Sequence, residues 1–368
     1  MRLPLLAFSL LAFSALARAQ SAAPGPTSSA TPPETQNPKL ETPSAAAPAT
    51  KPTLYIISDS TANNGINGWG TAFASYFDPA KVRVVNSALA GRSSRSYMAE
   101  GHWDPIVAQL KPGDLVLLQW GHNDTGTPSQ AHAGDRSSLP GLGEETAIVP
   151  TPAGTKLAFG AAPADATPTT PVDPNLPAGP LALVHTYGWY MRKYISDAQA
   201  KGARVVVLTV TVRNIWSNPN ATFGTAVSDT ATLVSQKDNY NPADDKVERG
   251  LDDGHGHNFA EESRQIAHAQ NVPLVDLTNI NADKFDLQGR EKTILLFKPT
   301  NPATKGDHTH TNPTGADFNA NSIVSGLKAL KDSPFLALLS AKGQAVTPAD
   351  PKYVSDNFSF LKSTIPAK

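Results

Sequence analysis

The sequence predicts an α/β domain of three layers, in which helices cover both faces of a five-stranded parallel sheet. Five short apolar runs rich in β-branched residues are each followed by a stretch of helical character. Continuous apolar strands of this kind are typical of parallel sheets, because both faces of such a sheet are buried. The repeated alternation of strand and helix favours right-handed crossovers and helices on both sides of the sheet.

The predicted elements follow one another without an internal repeat. The expected strands cover residues 54–57, 82–85, 115–118, 205–210 and 274–277. The expected helices cover residues 71–76, 97–110, 184–201, 258–269 and 313–331. The last helix has the clearest start, because Asn312 is a favoured N-cap and proline suits the first helical position, which Pro313 takes. Together these elements predict one domain over residues 53–340.

The first 52 residues are predicted to lie outside this domain. Arg2 supplies a positive charge, residues 3–16 are apolar, and residues 17–19 have the small-x-small pattern of a cleavage site, which indicates a signal peptide over residues 1–19. Residues 20–52 are rich in Ala, Pro, Ser and Thr, and such a segment cannot bury enough apolar surface to offset the entropy of ordering. We therefore expect a disordered tether and a secreted or periplasmic protein.

Two further segments depart from the pattern of strands and helices. Residues 125–180 are rich in Pro, Ala, Gly and Thr and form a long insertion. A loop of this length within a compact domain is usually functional or disordered. Residues 341–368 follow the last predicted helix and are interpreted as a C-terminal extension.

The overall composition excludes several classes of function. With 31 basic and 32 acidic residues the formal net charge is −1, so the chain lacks the basic surface that attracts nucleic acids or acidic membranes. The absence of cysteine excludes a disulfide framework, a thiol nucleophile and a cysteine zinc site. No stretch of the mature chain approaches the roughly 20 apolar residues of a membrane-spanning helix. We expect a monomer with a neutral substrate, no nucleic-acid partner and no membrane span.

Polar clusters follow the first three predicted strands, and a fourth precedes the last helix. They are residues 58–61 (SDST), 86–92 (NSALAGR), 119–124 (QWGHND) and 307–310 (DHTH). In an open parallel sheet, ligands bind outside the carboxyl ends of the strands, at the point where strand order reverses. We therefore expect all four clusters to meet on one edge of the sheet.

The residue types in these clusters match the needs of ester hydrolysis. Ser60 is the candidate nucleophile, His310 the base that takes its proton, and Asp307 the group that orients the imidazole. The oxyanion that develops on the acyl carbonyl needs hydrogen-bond donors. The backbone N–H groups of Ser60 and Gly91 and the side-chain amide of Asn123 are candidates, and no metal or organic cofactor is required.

The four ordered clusters resemble the SGNH or GDSL hydrolases, and specifically their rhamnogalacturonan acetylesterase branch. Ser60, Gly91 and Asn123 correspond to the residues that name the first three blocks, and Asp307 with His310 to the D-x-x-H pair of the last. Residues 184–194 (VHTYGWYMRKY) also look like that branch. The resemblance implies a flavodoxin-like sandwich, and its spacing selects His310 over His308 as the base.

Two positions depart from the common family pattern. Ser58 replaces the glycine that usually opens the first block, and Thr61 replaces the leucine of the GDSL form. The second change is itself typical of the rhamnogalacturonan branch. Neither removes a group that the chemistry needs.

Each cluster alone also has a simpler interpretation. Residues 58–61 could be a helix-capping turn, Asn123 and Asp124 an Asx turn, and Gly91 a turn glycine. Four clusters in the family order favour catalysis instead. A different serine-hydrolase fold is disfavoured, because the G-x-S-x-G elbow of the α/β-hydrolases does not occur.

The histidines allow a metal site as a second alternative. His255 and His257 could join residues 307–310 around an ion, but an exposed loop is the favoured interpretation of those two histidines, because ligand type without geometry is weak evidence. We therefore expect no metal.

The expected function is that of a secreted serine esterase which removes O-acetyl groups from a plant cell-wall polysaccharide, in particular rhamnogalacturonan. Flat side chains near the clusters could pack against sugar rings, and Trp120, His122 and Trp216 are the expected substrate contacts, with Tyr187 and Trp189 as further candidates. The alternatives are a lipase or lysophospholipase with the same four blocks, and a non-catalytic carbohydrate-binding protein.

Overall fold

The computed structural model describes residues 51–129, 136–217, 221–223, 233–236, 241–249, 258–298 and 307–355. The expected signal peptide, all but the last two residues of the expected tether, and residues 356–368 lie outside the described residues. Among the described residues, no helix has both the length and the apolar character that crossing a membrane requires.

The core of the domain is a six-stranded sheet. Its strands are β1 (Thr53–Ile57), β2 (Arg83–Asn86), β3 (Leu115–Leu118), β6 (Arg204–Leu208), β11 (Leu274–Val275) and β12 (Val354–Ser355), in the order β12-β11-β6-β3-β1-β2. The first five are parallel to one another, which confirms the predicted parallel sheet. The sixth strand, β12, was not predicted and pairs antiparallel with β11 at the sheet edge.

Nine helices are found among the described residues. They are α1 (Trp69–Ala74), α2 (Ser94–Ala99), α3 (Asp104–Gln109), α4 (Tyr187–Ala200), α5 (Phe259–Ala269), α6 (Leu277–Gln288), α7 (Arg290–Ile294), α8 (Pro313–Ala329) and α9 (Ala341–Gln344). Helices α6, α7 and α9 were not predicted. Asn312 caps α8 as expected, because its side chain accepts a hydrogen bond from the Gly315 backbone N–H.

The two faces of the sheet build two separate apolar clusters, because successive strand residues point to opposite sides. On one face, Tyr55, Val116 and Val205 pack under α2, α3, α4 and α5. On the other face, Leu54 and Leu115 pack under α1, α6 and α8. The predicted three-layer α/β/α architecture is therefore confirmed.

Several predicted element boundaries differ from the structure, and three of the differences have a clear local cause. The helix expected over residues 97–110 is two helices, because Gly101 takes φ +80° and ends α2. The helix expected from residue 184 begins at Tyr187, after a strand that ends at His185. The strand expected to reach residue 277 ends at Val275, because the side chain of Asp276 accepts a hydrogen bond from Asn279 N–H and caps α6.

The described part of the long insertion contains a two-stranded antiparallel ribbon. Strands β4 (Thr146–Pro152) and β5 (Ala178–His185) pair with one another and bury a small cluster that includes Val149 and Val184. Two shorter ribbons follow β6, one from β7 (Trp216–Ser217) and β10 (Lys246–Val247), the other from β8 (Ala221–Phe223) and β9 (Leu233–Gln236).

Residues 341–355 are the described part of the expected C-terminal extension. Val346 and Val354 are buried in the same apolar cluster as α8, and β12 completes the sheet edge. This part of the extension therefore packs on the domain.

The chain leaves β1 for β2 at one edge of the sheet and then returns to β3 on the other side of β1. Strand order therefore reverses between β1 and β3. Open α/β sheets bind ligands at the carboxyl ends of the strands that flank such a reversal. Residues 58–61 and 119–124 follow those two strands directly.

Candidate active site

Ser60 lies in a tight turn that leads from β1 towards α1. The Asp59 carboxylate accepts hydrogen bonds from the backbone N–H and the hydroxyl of Thr61, both at 2.8 Å. The Asp59 carbonyl accepts hydrogen bonds from Ala62 N–H at 3.2 Å and Asn63 N–H at 3.0 Å. These four bonds fix the turn, and Ser60 at its apex retains 9% exposure.

Gln119, which directly follows β3, stabilises the same turn through hydrogen bonds of its side chain. Its side-chain oxygen accepts hydrogen bonds at 3.2 Å from the Ser58 hydroxyl, the Thr61 hydroxyl and the Trp69 indole N–H. Its amide donates to the Thr209 carbonyl at 3.0 Å. Gln119 was not among the predicted site residues, although its position directly after a buried strand was a usable signal.

Ser60, His310 and Asp307 form a continuous hydrogen-bonded chain. His310 Nε2 lies 2.8 Å from Ser60 Oγ, and His310 Nδ1 lies 2.6 Å from Asp307 Oδ2. This is the connectivity by which a serine hydroxyl passes its proton to an imidazole while a carboxylate holds the ring. The structure thus places His310, and not His308, against the Ser60 hydroxyl.

Asp307 is held in its ionised form. Partial burial would raise its pKa, but the hydrogen bonds from the His310 ring, from His310 N–H at 2.8 Å and from Thr309 N–H at 3.0 Å outweigh burial and bring the pKa to about 2. A carboxylate that is charged across the neutral range favours a proton on His310 Nδ1. That tautomer leaves Nε2 able to accept the Ser60 proton.

Two backbone N–H groups of the site donate to no acceptor among the residues that the structure describes. Within the described residues, neither Ser60 N–H nor Gly91 N–H donates a hydrogen bond to the protein. Unpaired backbone N–H groups beside a buried hydroxyl are rare, because each costs free energy until an acceptor arrives. Gly91 takes φ +75°, a conformation open to glycine at little cost. These N–H groups are therefore available to an oxyanion.

The third expected donor, Asn123, has one amide hydrogen already committed. Its Nδ2 donates to the Arg92 carbonyl at 3.0 Å, and its Oδ1 accepts from Arg136 Nη1 at 3.3 Å. Since a carboxamide has two N–H donors, the second remains for an acceptor in the site. Asn123 is also only partly buried, so substrate can approach it.

The prediction that Trp120 contacts the substrate is wrong. Its side chain is fully buried and packs with ring centroids 5.2 Å from Tyr97 and 5.8 Å from Tyr194. The same holds for Tyr187, which is fully buried and donates its hydroxyl to the Trp120 carbonyl at 3.0 Å. Both rings stabilise the core beneath α4.

Trp216 is likewise not a substrate contact. It is 3% exposed, its indole N–H donates to Asn214 Oδ1 at 2.8 Å, and its ring packs with Val247 and Phe285. Trp189 is partly exposed, but its ring stacks on His185 at 3.8 Å, with the planes 10° apart. None of these tryptophans therefore has an open ring face on which a sugar could stack.

His122 is 6% exposed, close to the 9% of Ser60, so its expected contact with substrate stays a prediction. Its Nε2 lies 2.9 Å from Thr211 Oγ1. Burial lowers the pKa of His122 well below the usual range, and the nearby positive charge of Arg213 lowers it further. The imidazole is therefore neutral.

Two buried carboxyls lie next to the proposed nucleophile and amide. Burial raises the pKa of Asp59, against the hydrogen bonds from Thr61. Burial also raises the pKa of Asp124 to about 7, although Ser94 donates to it through its backbone N–H and its hydroxyl. Asp124 thereby ties the start of α2 to the end of β3, a role that the simple Asx-turn interpretation missed.

The alternative metal site cannot be built from the described residues. His255 and His257 lie outside them, and within the described ranges no group of three or more His, Cys, Asp or Glu side chains could hold a metal ion.

Comparison with known proteins finds one family whose pattern fits most of this chain. The model of the GDSL-like lipase/acylhydrolase family matches residues 55–318. This range begins in β1 and ends in α8, so it contains all four polar clusters.

The individual proteins that match this chain share only a low sequence identity with it. A rhamnogalacturonan acetylesterase of Emericella nidulans is 27% identical over 275 residues, which cover 75% of this chain and 84% of the relative. A Bacillus subtilis protein named "probable rhamnogalacturonan acetylesterase YesY" is 22% identical over 282 residues, which cover 75% of this chain and 93% of the relative. Among solved structures, Bacillus subtilis YxiM aligns with a TM-score of 0.45 at 21% identity, over 76% of this chain and 57% of YxiM.

Proposed function

This chain belongs to the GDSL-like lipase/acylhydrolase family and is a carboxylic ester hydrolase, and from that premise we propose that it removes O-acetyl groups from a polysaccharide through a Ser60 acyl-enzyme. The observation that carries the proposal is the hydrogen-bonded chain from Ser60 Oγ through His310 to Asp307.

In the first step, Ser60 Oγ attacks the acetyl carbonyl while His310 Nε2 takes the hydroxyl proton. Asp307 holds the ring and stabilises the imidazolium that forms. The tetrahedral intermediate then collapses, the ester C–O bond breaks, and His310 returns the proton to the departing sugar oxygen. The products of this step are the sugar alcohol and an acetyl group on Ser60.

In the second step, water replaces the sugar alcohol. His310 takes a proton from the water, whose oxygen attacks the acetyl carbon, and it then gives the proton back to Ser60 Oγ as acetate leaves. The step regenerates the free hydroxyl and needs no external oxidant, metal or cofactor.

The negative charge on the acetyl oxygen is stabilised in both steps by three donors. They are the unpaired N–H groups of Ser60 and Gly91 and the second amide hydrogen of Asn123. Because the Ser60 turn is fixed by Asp59 and Gln119, Ser60 N–H needs no reorganisation when charge develops, which is the condition under which such donors are most effective.

The support for an acetylated polysaccharide comes from the relatives. Two of them carry the name rhamnogalacturonan acetylesterase and match three quarters of this chain. We extend that substrate class to this chain, with acetylated rhamnogalacturonan as the specific candidate. Because Trp120 and Trp216 are buried, the expectation that these two rings pack against sugar rings no longer supports this substrate.

The proposal includes export of the mature protein. The support is the N-terminal pattern of a positive residue, an apolar stretch and a small-x-small site over residues 1–19. An enzyme outside the cytoplasm can meet a polymer that cells cannot take up intact.

The test of this function is a comparison of two ester classes with one enzyme preparation. We expect kcat/KM for acetate release from acetylated rhamnogalacturonan to exceed kcat/KM for fatty-acid release from phospholipid by at least about a hundredfold, which corresponds to about 2.7 kcal/mol of differential transition-state binding. Ser60→Ala serves as the blank for both substrates. Comparable rates, or a rate on synthetic esters that rises as the acyl chain is lengthened beyond butyrate, would make the protein a lipid esterase instead.

A further inference from the structure

Residues 136–138 belong to the long insertion and contact both loops that carry the proposed oxyanion donors. The Arg136 carbonyl accepts a hydrogen bond from Ser93 Oγ at 2.5 Å, two residues after Gly91. Ser138 N–H donates to the Asp124 carbonyl at 3.2 Å, one residue after Asn123. The 136–138 segment therefore bridges the Gly91 loop and the Asn123 loop through its own backbone.

The Arg136 side chain also connects the two loops, and it contacts Gly91 and Asn123 themselves. Its Nη1 lies 3.3 Å from Asn123 Oδ1 and 3.4 Å from the Gly91 carbonyl oxygen. Both bonds are long, but the donor is charged, and such hydrogen bonds are stronger than neutral ones of similar geometry. One guanidinium nitrogen thus touches both residues that are proposed to join Ser60 in the oxyanion hole.

The contact with Asn123 determines which end of the amide faces the site. A carboxamide has an acceptor end and a donor end, and rotation by half a turn exchanges them. Because Oδ1 accepts from Arg136, Nδ2 is turned towards the Arg92 carbonyl and the site. The opposite orientation would direct an oxygen at the oxyanion and would repel it.

Among the residues that the structure describes, no carboxylate lies within ion-pair distance of Arg136. Within the described residues it forms no ion pair, whereas Arg92 pairs with Glu100 at 2.9 Å and Arg192 pairs with Glu144 at 2.5 Å. A positive charge that donates to Asn123 Oδ1 also polarises the amide and makes its N–H a better donor.

We propose that Arg136 is a positioning residue of the oxyanion hole: it orients the Asn123 amide and fixes the Gly91 loop, so that the insertion contributes to catalysis without touching the reacting atoms. The inference rests on the proposed function, because it presumes that Asn123 and Gly91 stabilise an oxyanion.

The test is a double-mutant cycle with a neutral chromogenic acetate ester. This substrate has no carboxylate, so any effect of Arg136 on kcat cannot come from an ion pair with the substrate. Arg136→Ala should lower kcat by about 10- to 100-fold, the range for losing a hydrogen bond from a charged group, while KM changes less than about threefold. Arg136→Lys should recover part of the loss. In an Asn123→Ala background, Arg136→Ala should cost clearly less than it does in wild type, because only its contact with the Gly91 carbonyl remains.

The matched control is Arg192→Ala, which removes a guanidinium that also ties the insertion to the domain, through the Gly143 carbonyl at 2.9 Å. We expect its kcat to stay within about threefold of wild type, since Arg192 contacts neither loop of the site. The thermal midpoint of every variant is measured alongside. If Arg136→Ala does not fold, the same cycle is run with Arg136→Gln.

Three results would overturn the inference while leaving the esterase function intact. They are wild-type kcat in Arg136→Ala, a full and independent loss in the Asn123→Ala background, and an effect confined to the KM of acidic substrates, which would make Arg136 a contact for a substrate anion. A wild-type protein without Ser60-dependent turnover would instead refute the proposed function itself.

Discussion

His310 Nε2 lies 2.8 Å from Ser60 Oγ, although 250 positions separate the two residues in the chain. Neighbouring contacts hold this pair together before any substrate binds. Thr311 Oγ1 donates to the Asn67 carbonyl at 2.8 Å, and the His310 carbonyl accepts from Lys298 N–H at 3.0 Å. The loop that carries the histidine is therefore attached to the loop that carries the serine, which makes the pair preorganised for proton transfer.

Asp307→Asn tests the contribution of the carboxylate to that pair. An asparagine of the same shape can donate to His310 Nδ1 and so favours the wrong tautomer, in which Nε2 carries the proton. We expect kcat for a chromogenic acetate to fall by about 10⁴-fold. The control is Asp350→Asn, which changes an exposed carboxylate of the C-terminal segment. Retention of more than a tenth of wild-type kcat in Asp307→Asn would show that His310 is oriented by other groups.

Asn123→Ala tests the side-chain donor of the oxyanion hole. Removal of one such donor typically lowers kcat by about 10²- to 10³-fold, because the interaction forms fully only in the transition state. Asn175→Ala, in the exposed part of the insertion, is the matched control and should leave kcat unchanged. If KM rises and kcat does not fall, Asn123 binds the substrate in its ground state and is no oxyanion donor.

Asp124→Asn tests the buried carboxyl beside Asn123 through the pH dependence of stability. Burial raises the folded pKa of Asp124 to about 7 from its ordinary value of 3.8, so between these values the folded state holds a proton that the unfolded state releases. Stability from this group is complete below the unfolded pKa and is lost as the pH rises through the folded pKa. The free energy of unfolding of wild type, relative to Asp124→Asn, should therefore fall by up to about 4 kcal/mol between pH 4 and pH 8.

The measurement is urea unfolding of both proteins at several pH values, with the difference between them taken at each pH. This difference cancels the titration of groups that the two proteins share. A difference that stays constant across the range would mean that the hydrogen bonds from Ser94 keep Asp124 ionised in the folded protein despite its burial.

The sequence predicted the sheet well, because apolar β-branched runs report directly on strands that are buried on both faces. It also predicted that the clusters of Ser60 and His310 would meet at one edge of the sheet, and the resemblance to the family selected His310 over His308. It failed on Trp120 because a tryptophan near a site was interpreted as a ligand contact. The alternation of Val116, Leu118 and Trp120, all buried on one face, was the signal that places this ring in the core.

Other parts of the site depend on tertiary contacts, which cannot be predicted from a local sequence pattern. Gln119 meets Ser58 and Trp69 only when β3 pairs with β1. Arg136 lies in a segment whose composition suggests a loop, and its place beside Asn123 follows from how the insertion packs. Trp216 follows β6 outside any regular strand of the main sheet, so alternation gave no information about its burial.

Ser60 is proposed to carry the acyl group, and kcat of Ser60→Ala on a chromogenic acetate ester tests this role. The protein's turn geometry does not depend on the Ser60 hydroxyl, because Asp59 and Gln119 hold the turn through other groups, so the variant should fold like wild type. Ser196→Ala, an exposed serine of α4, is the control and should keep full activity. We expect a loss of several orders of magnitude in Ser60→Ala, whereas a variant that kept more than a tenth of the wild-type kcat would show that Ser60 is not the nucleophile.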